Sequence, residues 1–225
     1  MSICVLYEDN HVLAVSKPAG LLSQGDRTGD DTVVMLAKTY LKNRYHKPGN
    51  VYLGLVHRLD RPVSGVMILA KTSKAARRLS AVFQQRRPKK LYLALAEGRL
   101  AGQGQWEDAL VKVKGKAHIV PRSHPGAKDT LLSWRALVRV RGCTLTVVQL
   151  HTGRAHQIRC QLAHRGYPIL GDKRYGARRT FDGRNLALHS YRLVVPHPVL
   201  AEPVSVTAPL PETWRPWVIS LPDGL

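Results

Sequence analysis

One short segment, residues 56–72 with the sequence VHRLDRPVSGVMILAKT, limits the fold of this chain more than any other. It places a single carboxylate, Asp60, between a basic stretch and the continuous apolar run 66–70. Such a run is typical of a strand that is covered on both faces, and residues 52–56 predict a strand entering from the other side. Proline, serine and glycine between the two supply turn residues. We therefore predict that Asp60 lies at a corner between two strands.

A carboxylate at such a corner has two common uses. Residues on loops that a rigid scaffold positions can face a cleft and take part in catalysis. Aspartate also closes its own turn by accepting hydrogen bonds from backbone N–H groups. The segment alone leaves both interpretations of Asp60 open.

The charge of the chain indicates a polyanionic partner. Among 225 residues, 35 Lys and Arg stand against 15 Asp and Glu, which gives a formal net charge of +20. Nucleic acid fits this balance best, because Lys and Arg that neutralise phosphates supply most sequence-independent affinity. A membrane surface fits less well, since no basic amphipathic helix with an aromatic apolar face stands out in the sequence. The basic loop 84–90 is the best local candidate for a phosphate contact, although solvation is an adequate explanation for any one of its charges.

Cysteine usage and the N-terminal sequence favour a cytoplasmic protein without a metal site. The three cysteines form no CxxC pair and lie at no spacing that matches a zinc site. The first residues lack the pattern of a signal or transit peptide. No apolar run approaches the roughly 20 residues that a membrane span needs. We expect free thiols, no metal and no membrane partner.

The remaining pattern predicts a mixture of helices and antiparallel strands. A helix capped by Asp30 or Asp31 is expected to run to about Tyr45, and another is expected to begin at Ser73. Residues 113–125 are expected to form a mobile basic loop region. A helix follows residues 151–159, and Gly166 is expected to end it. The other predictions are strands at 12–16, 91–96, 106–113, 131–140, 145–150 and 186–195, and a short C-terminal helix with Trp214 and Trp217.

Arg159 stands out on the third predicted helix. It flanks the apolar stripe of that helix, so its guanidinium is expected to reach a partly buried environment. An unpaired buried charge is costly, and we therefore expect a carboxylate partner.

Several motifs, taken in order, resemble the RluA-type pseudouridine synthases over nearly the whole chain. HRLD at 57–60 together with GRAHQIR at 153–159 is the strongest pair. The chain departs from the family pattern at Pro62, Val63 and Ala155, which affects loop rigidity and target choice rather than the reaction class. The further markers are KPAGL at 17–21, SG at 64–65, KLYLA at 90–94, GD at 171–172, YG at 175–176, LH at 188–189 and PHP at 196–198.

The resemblance implies an α+β pseudouridine synthase fold, with a mixed, mostly antiparallel sheet in two halves, flanking helices and a central RNA-binding cleft. It implies one catalytic domain over residues 1–225 without an S4 domain. Asp60 matches the essential aspartate of the family, Tyr92 its active-site tyrosine and Arg159 the arginine that pairs with that aspartate. Ile158 matches an apolar contact to the target base.

The implied activity is the isomerisation of specific uridines to pseudouridine in an rRNA or tRNA stem-loop, which needs no cofactor. We expect contacts to the RNA from residues beside the motifs, with structural or solvated roles as the alternative, and for Lys17 a solvated strand end is equally plausible. We expect a monomer without an obligate protein partner. The candidate RNA contacts are His57, Arg58, Arg61, Arg154 and Lys17.

Three questions stay open at this point. Asp60 can attack the sugar or base as a nucleophile, or take a proton from the ribose. A catalytically silent RNA-binding or ribosome-assembly protein would share the charge and the fold, but it would be expected to lose Asp60, Tyr92 or Arg159. A metal-dependent nuclease would need clustered acidic and histidine ligands.

Overall fold

The computed structural model describes residues 2–218, 220 and 221, and the chain divides into two compact units. The first unit comprises residues 1–89 and 190–209, and the second comprises residues 90–189 and 210–225. Each unit combines helices with antiparallel strands, which confirms the predicted α+β class. None of the described helices is long and apolar enough to cross a membrane.

The first unit is built around a strand whose seven residues are all buried. This strand, β4 (Ser64–Ala70), contains the apolar run that the sequence predicted, and its residues 65–70 pair with β2 (Val12–Lys17). Strands in this unit follow the order β1-β2-β4-β10-β11, with β3 also on β4. The elements are β1 (Cys4–Glu8), β2 (Val12–Lys17), α1 (Val33–Arg44), β3 (Gly54–Leu55), β4 (Ser64–Ala70), α2 (Ser73–Gln84), β10 (Leu188–Val195, in this unit from Ser190) and β11 (Val204–Thr207).

The core of this unit forms where α2 packs on β4. Alternation along the strand puts Val66, Ile68 and Ala70 on one face, and these residues share a buried cluster with Ala75 and Leu79 of the helix. All five side chains are fully buried. Because burial of one large apolar side chain contributes about 1.5–3 kcal/mol, this packing gives the Asp60 segment a rigid base.

Both helices of the first unit are capped by a threonine side chain. The hydroxyl of Thr32 accepts from Met35 N at 3.1 Å, and that of Thr72 accepts from Ala75 N at 3.1 Å. The predicted cap at Asp30 or Asp31 was therefore wrong, whereas the helix expected to begin at Ser73 does begin there, with Thr72 as its cap. Threonine serves because its side-chain oxygen reaches an N–H group that has no partner within the helix.

The strands of the second unit are antiparallel and pair in the order β5-β9-β8-β6-β7, so that neighbours are not always consecutive in sequence. The predicted mobile loop at 113–125 was wrong, because residues 116–120 form a strand of this sheet. Lys114 and Gly115, both with positive φ, make the tight turn before it. Trp214 ends a short 3₁₀ helix, Glu212–Trp214, and Trp217 lies beyond it. The elements are β5 (Lys89–Glu97), β6 (Gln103–Val113), β7 (Lys116–Val120), β8 (Lys128–Val140), β9 (Cys143–Leu150) and α3 (Gln157–His164).

Candidate active site

The loop that carries Asp60 is fixed through its backbone. Ser23 Oγ accepts from Leu59 N at 3.2 Å and donates to Leu59 O at 2.7 Å. On the other side, Val63 N donates to Asp60 O at 3.0 Å and closes the turn. The Asp60 side chain is half-buried. The predicted corner between two strands is confirmed, although the entering strand is only the two residues of β3.

Lys17 is buried inside this loop instead of lying at a solvated strand end. Its side chain is 0% exposed, and Nζ donates to three carbonyl oxygens: Pro18 O at 3.0 Å, Arg61 O at 3.0 Å and Val63 O at 2.7 Å. These bonds use all three donors of an ammonium group. The expectation of a solvated strand end or a phosphate contact is therefore corrected, because Lys17 holds the loop from within.

Burial dominates the electrostatics of Lys17. It lowers the pKa of Lys17 from 10.5 to about 7, while the nearby Asp60 carboxylate raises that pKa and Arg61 lowers it. A negative charge at Asp60 thus helps to keep a positive charge buried behind it. Lys17 therefore links the position of the Asp60 loop to the charge of the Asp60 carboxylate.

Two further contacts define the edges of the loop. Gly65 has a φ of +117°, and a Cβ atom there would overlap the backbone of Ser190, so only glycine fits. Arg61 donates from Nε to Gly20 O at 3.0 Å and pairs with Asp30 at 2.8 Å. Its side chain is still 48% exposed. Arg61 therefore remains accessible to a ligand.

His57 and Arg58 differ in their surroundings. The His57 ring stacks on Phe83 with centroids 4.6 Å apart, and its Nε2 accepts from Ile68 N at 2.9 Å. These contacts tie His57 to α2 and β4 and give it a structural role. Arg58 is exposed. A contact to RNA stays a prediction for both residues.

In the second unit, Tyr92 and α3 share one face of the sheet. Tyr92 lies opposite Val148 of β9, and the register continues through Trp134 to Gly104 on β6. Successive residues of a strand point to opposite faces, so Asp108 of β6 lies on the same face. Gln161 of α3 donates to this Asp108 at 2.6 Å. The 9% exposed Tyr92 side chain therefore lies on the face that α3 covers.

Arg159 of α3 has a buried carboxylate partner, as expected. Its Nε donates to Asp172 Oδ2 at 2.7 Å and its Nη2 to Asp172 Oδ1 at 2.9 Å, and the two side chains are 6% and 1% exposed. This two-point geometry is the strongest form of an ion pair. The predicted pairing of Arg159 with Asp60, residues of different units, stays a prediction. This role of Asp172 was not predicted from the sequence, in which the Gly171-Asp172 pair is only one of the family markers.

Tyr175 supports the same guanidinium. Arg159 Cζ lies 5.1 Å from the centroid of the Tyr175 ring, within reach of a cation–π interaction. The Tyr175 hydroxyl accepts from Ala117 N at 2.8 Å and lies 2.9 Å from His156 Nδ1. Burial raises the pKa of Tyr175 to about 12, so the hydroxyl stays protonated at neutral pH. Arg159 is thereby fixed by a carboxylate and by an aromatic ring.

The turn into α3 is organised by Gln157. Its Oε1 accepts from Thr152 Oγ1 at 2.8 Å and from Arg154 N at 3.1 Å. The Arg154 side chain donates to Asp129 O at 3.4 Å, and Ile158 is only 3% exposed. Their predicted contacts to RNA and to the target base remain untested by this geometry.

The chain matches known proteins over most of its length. The family described as RNA pseudouridylate synthase matches residues 11–164. The chain is 34% identical to ribosomal large subunit pseudouridine synthase D of Pseudomonas aeruginosa, over 96% of this chain and 71% of that protein. It is 33% identical to tRNA pseudouridine synthase C of Salmonella typhi, over 98% of this chain and 92% of that protein.

A solved structure supports the fold independently. Human RNA Pseudouridylate Synthase Domain Containing 4 aligns with a TM-score of 0.79 at 23% identity, over 95% of this chain and 92% of that chain. The pseudouridine synthase fold is therefore confirmed. The resemblance that the motifs indicated is confirmed as well: the chain belongs to the RNA pseudouridylate synthase family, among its RluA-type members, and is an isomerase that acts on RNA.

Proposed function

We propose that this protein converts specific uridines of a ribosomal or transfer RNA stem-loop to pseudouridine, with Asp60, Tyr92 and Arg159 as its catalytic residues. One observation carries the assignment of Asp60. Its loop is fixed on both sides by Ser23 and Lys17, yet its side chain is only half-buried. A rigid backbone beneath an accessible carboxylate is the arrangement that positioning of a reacting group requires. The similarity to synthases named for the ribosomal large subunit and for tRNA supports both substrate classes.

The reaction breaks the C1′–N1 bond of uridine, turns the uracil and joins C1′ to C5. The hydrogen on C5 is released as a proton, and N1 gains one, so no oxidant or reductant is consumed. In this proposal Asp60 acts on the sugar or base as a nucleophile, or as a base on the ribose. Tyr92 stacks on the uracil, and Arg159 orients the Asp60 carboxylate.

The uridine must leave its helix before it can react. Extrusion of a base costs a few kcal/mol, and less in loops and bulges. The excess of 20 positive charges offsets this cost by binding the phosphates around the extruded nucleotide. Arg58, Arg61 and Arg154 are the proposed contacts near the site, and Ile158 the proposed apolar contact to the base. We further propose a cytoplasmic monomer with one catalytic domain.

The test is the release of tritium from RNA labelled at C5 of uridine. Unmodified ribosomal and transfer RNA are compared as substrates, with Asp60→Asn as the test variant and Asp31→Asn as its matched control. Asp31 is exposed and belongs to the same unit. We expect release to fall by at least about 10³-fold in Asp60→Asn, as is usual when a reacting group is removed, and to be unchanged in the control.

RNA affinity measured in parallel separates catalysis from binding. Asp60→Asn should bind RNA as well as the unaltered protein does. Undiminished release in this variant would refute the role of Asp60. Tight binding without release by the unaltered protein, on every RNA tried, would favour the catalytically silent RNA-binding protein instead.

A further inference from the structure

An open groove lies on the second unit's sheet, on the face opposite α3. Its volume is about 410 Å³, which is within the range of sites for small ligands. Leu91 and Val147 form its apolar floor. Successive residues of β6 point to opposite faces of the sheet. The even-numbered residue Asp108 contacts α3, whereas the odd-numbered residues Gln103 and Gln105 line the groove, so the groove lies on the other face.

The polar rim of this groove offers hydrogen-bond donors without partners. In the part of the chain that the structure describes, the Arg135 guanidinium has no carboxylate partner, and the side-chain amides of Gln103 and Gln149 make no hydrogen bond. Gln105 donates to Ser133 Oγ at 3.2 Å, so it keeps its second N–H group and its carbonyl oxygen available. An amide that can donate and accept at once suits the edge of a nucleobase.

The charge around the groove favours an anionic occupant. Arg135 is the charged residue of its lining. Register places Glu107 and Asp129 on the same face, but Arg122 pairs with both, at 3.2 and 3.4 Å. The groove therefore presents one uncompensated positive charge, in a chain whose formal net charge is +20.

We propose that this groove binds one unpaired nucleotide of RNA, as a contact separate from the residues assigned to the chemistry. The base lies on Leu91 and Val147, the amides of Gln103 and Gln149 contact its edge, and Arg135 binds a flanking phosphate. An apolar floor with an amide rim fits a flat heteroaromatic ring better than it fits an acidic peptide, which would need several cations. The contact adds affinity for unpaired segments next to the target stem-loop.

The test measures binding of fluorescent oligoadenylate by anisotropy. This probe contains no uridine, so the result is independent of whether Asp60 carries out the isomerisation. We expect the double variant Arg135→Gln and Gln149→Ala to bind about tenfold more weakly. The slope of the logarithm of the binding constant against the logarithm of the salt concentration should fall in magnitude by about one, as expected for the loss of one phosphate contact.

Arg139→Gln is the matched control. Arg139 is exposed on the same strand, but it lies opposite Thr144 and so belongs to the other face of the sheet. Because Arg139 lies away from the groove, we expect this variant to change the affinity for oligoadenylate less than about twofold. Such a change corresponds to less than about half a kcal/mol of binding free energy. An oligomer with abasic ribose in place of adenosine should bind the unaltered protein more weakly, and Gln149→Ala alone should not weaken it further.

Three results would overturn the proposal. The first is equal weakening in the control, which would indicate a diffuse charge effect. The second is unchanged affinity in the double variant while its thermal unfolding matches that of the unaltered protein. The third is a groove variant that loses binding to polyglutamate but keeps its binding to oligoadenylate, which would assign the groove to an acidic peptide.

Discussion

The buried pair between Arg159 and Asp172 should be one of the strongest single interactions in the second unit. Asp172→Asn keeps the shape of the side chain, but it removes the negative charge and one of the two acceptor oxygens. The guanidinium would then lie 6% exposed against a neutral amide. Removing the charge of one partner from a buried ion pair of this kind is strongly destabilising.

The geometry sets the expected magnitude. Two charge-assisted hydrogen bonds, at 2.7 and 2.9 Å, contribute about 1.5–3 kcal/mol each. Asn preserves part of one of them, so we expect Asp172→Asn to lower the free energy of unfolding by about 3 kcal/mol. Arg159→Gln should cost a similar amount, because it leaves Asp172 buried without its partner. The double variant buries two neutral amides and should lose about 2 kcal/mol less than the sum of the two single losses.

Urea unfolding followed by circular dichroism measures all four proteins of this cycle. The assay reports stability alone, so it does not depend on a catalytic role for Arg159. Additive losses within about 0.5 kcal/mol would refute the reasoning, because residues in one ion pair must couple. Arg165→Gln with its own partner Asp108 offers a comparison, since that pair is 25% and 11% exposed and should couple more weakly.

Two further predictions concern the loop of the first unit. Gly65→Ala should prevent stable folding, because the added Cβ would overlap the Ser190 backbone at a φ of +117°. In the control Gly25→Ala the added Cβ has open space, so this variant should lose less than about 1 kcal/mol of unfolding free energy. A soluble Gly65→Ala protein that unfolds cooperatively would contradict the prediction. Between the folded pKa of Lys17, about 7, and its unfolded value of 10.5, the unfolded state binds more protons, so unfolding free energy rises with pH. The unfolding free energy of the unaltered protein, relative to that of Lys17→Met, should therefore rise by about 2–3 kcal/mol from about pH 7.5 to about pH 9.5. Parallel plots of unfolding free energy against pH for the two proteins would mean that the three carbonyl acceptors keep Lys17 in its ammonium form instead.

The apolar pattern predicted the elements well where periodicity decides them. The buried strand β4 came from a continuous apolar run, and both helices of the first unit came from their apolar faces. The cap of α1 is Thr32 instead of Asp30 or Asp31, because threonine and aspartate both cap helices and adjacent candidates are equivalent in sequence. The strand at 116–120 was missed because Lys112, Lys114 and Gly115 in front of it are typical of a loop, and its pairing with β6 supplies what local preference lacks.

The partner of Arg159 could be predicted in kind but not in identity. A cation beside an apolar stripe requires a carboxylate when it is buried, and the structure supplies one. Asp172 follows a glycine with positive φ in a stretch of turns. The spatial position of such a residue depends on several consecutive turns, which the residue types alone do not determine.

The role of Lys17 could not be predicted from the sequence, because its hydrogen-bond acceptors are backbone carbonyl groups, which every residue possesses. Its acceptors are backbone carbonyls of residues 18, 61 and 63, so no side chain in the sequence marks them. Residues 61 and 63 lie just after Asp60, so the lysine fixes the backbone of the proposed catalytic loop, and the carboxylate in return favours the charge that makes three donors available. In a chain with 20 excess positive charges, the buried basic side chains of Lys17 and Arg159 therefore stabilise loop and helix positions. The exposed Arg58, the half-exposed Arg61 and the partly buried Arg154 are the motif cations proposed to bind phosphate.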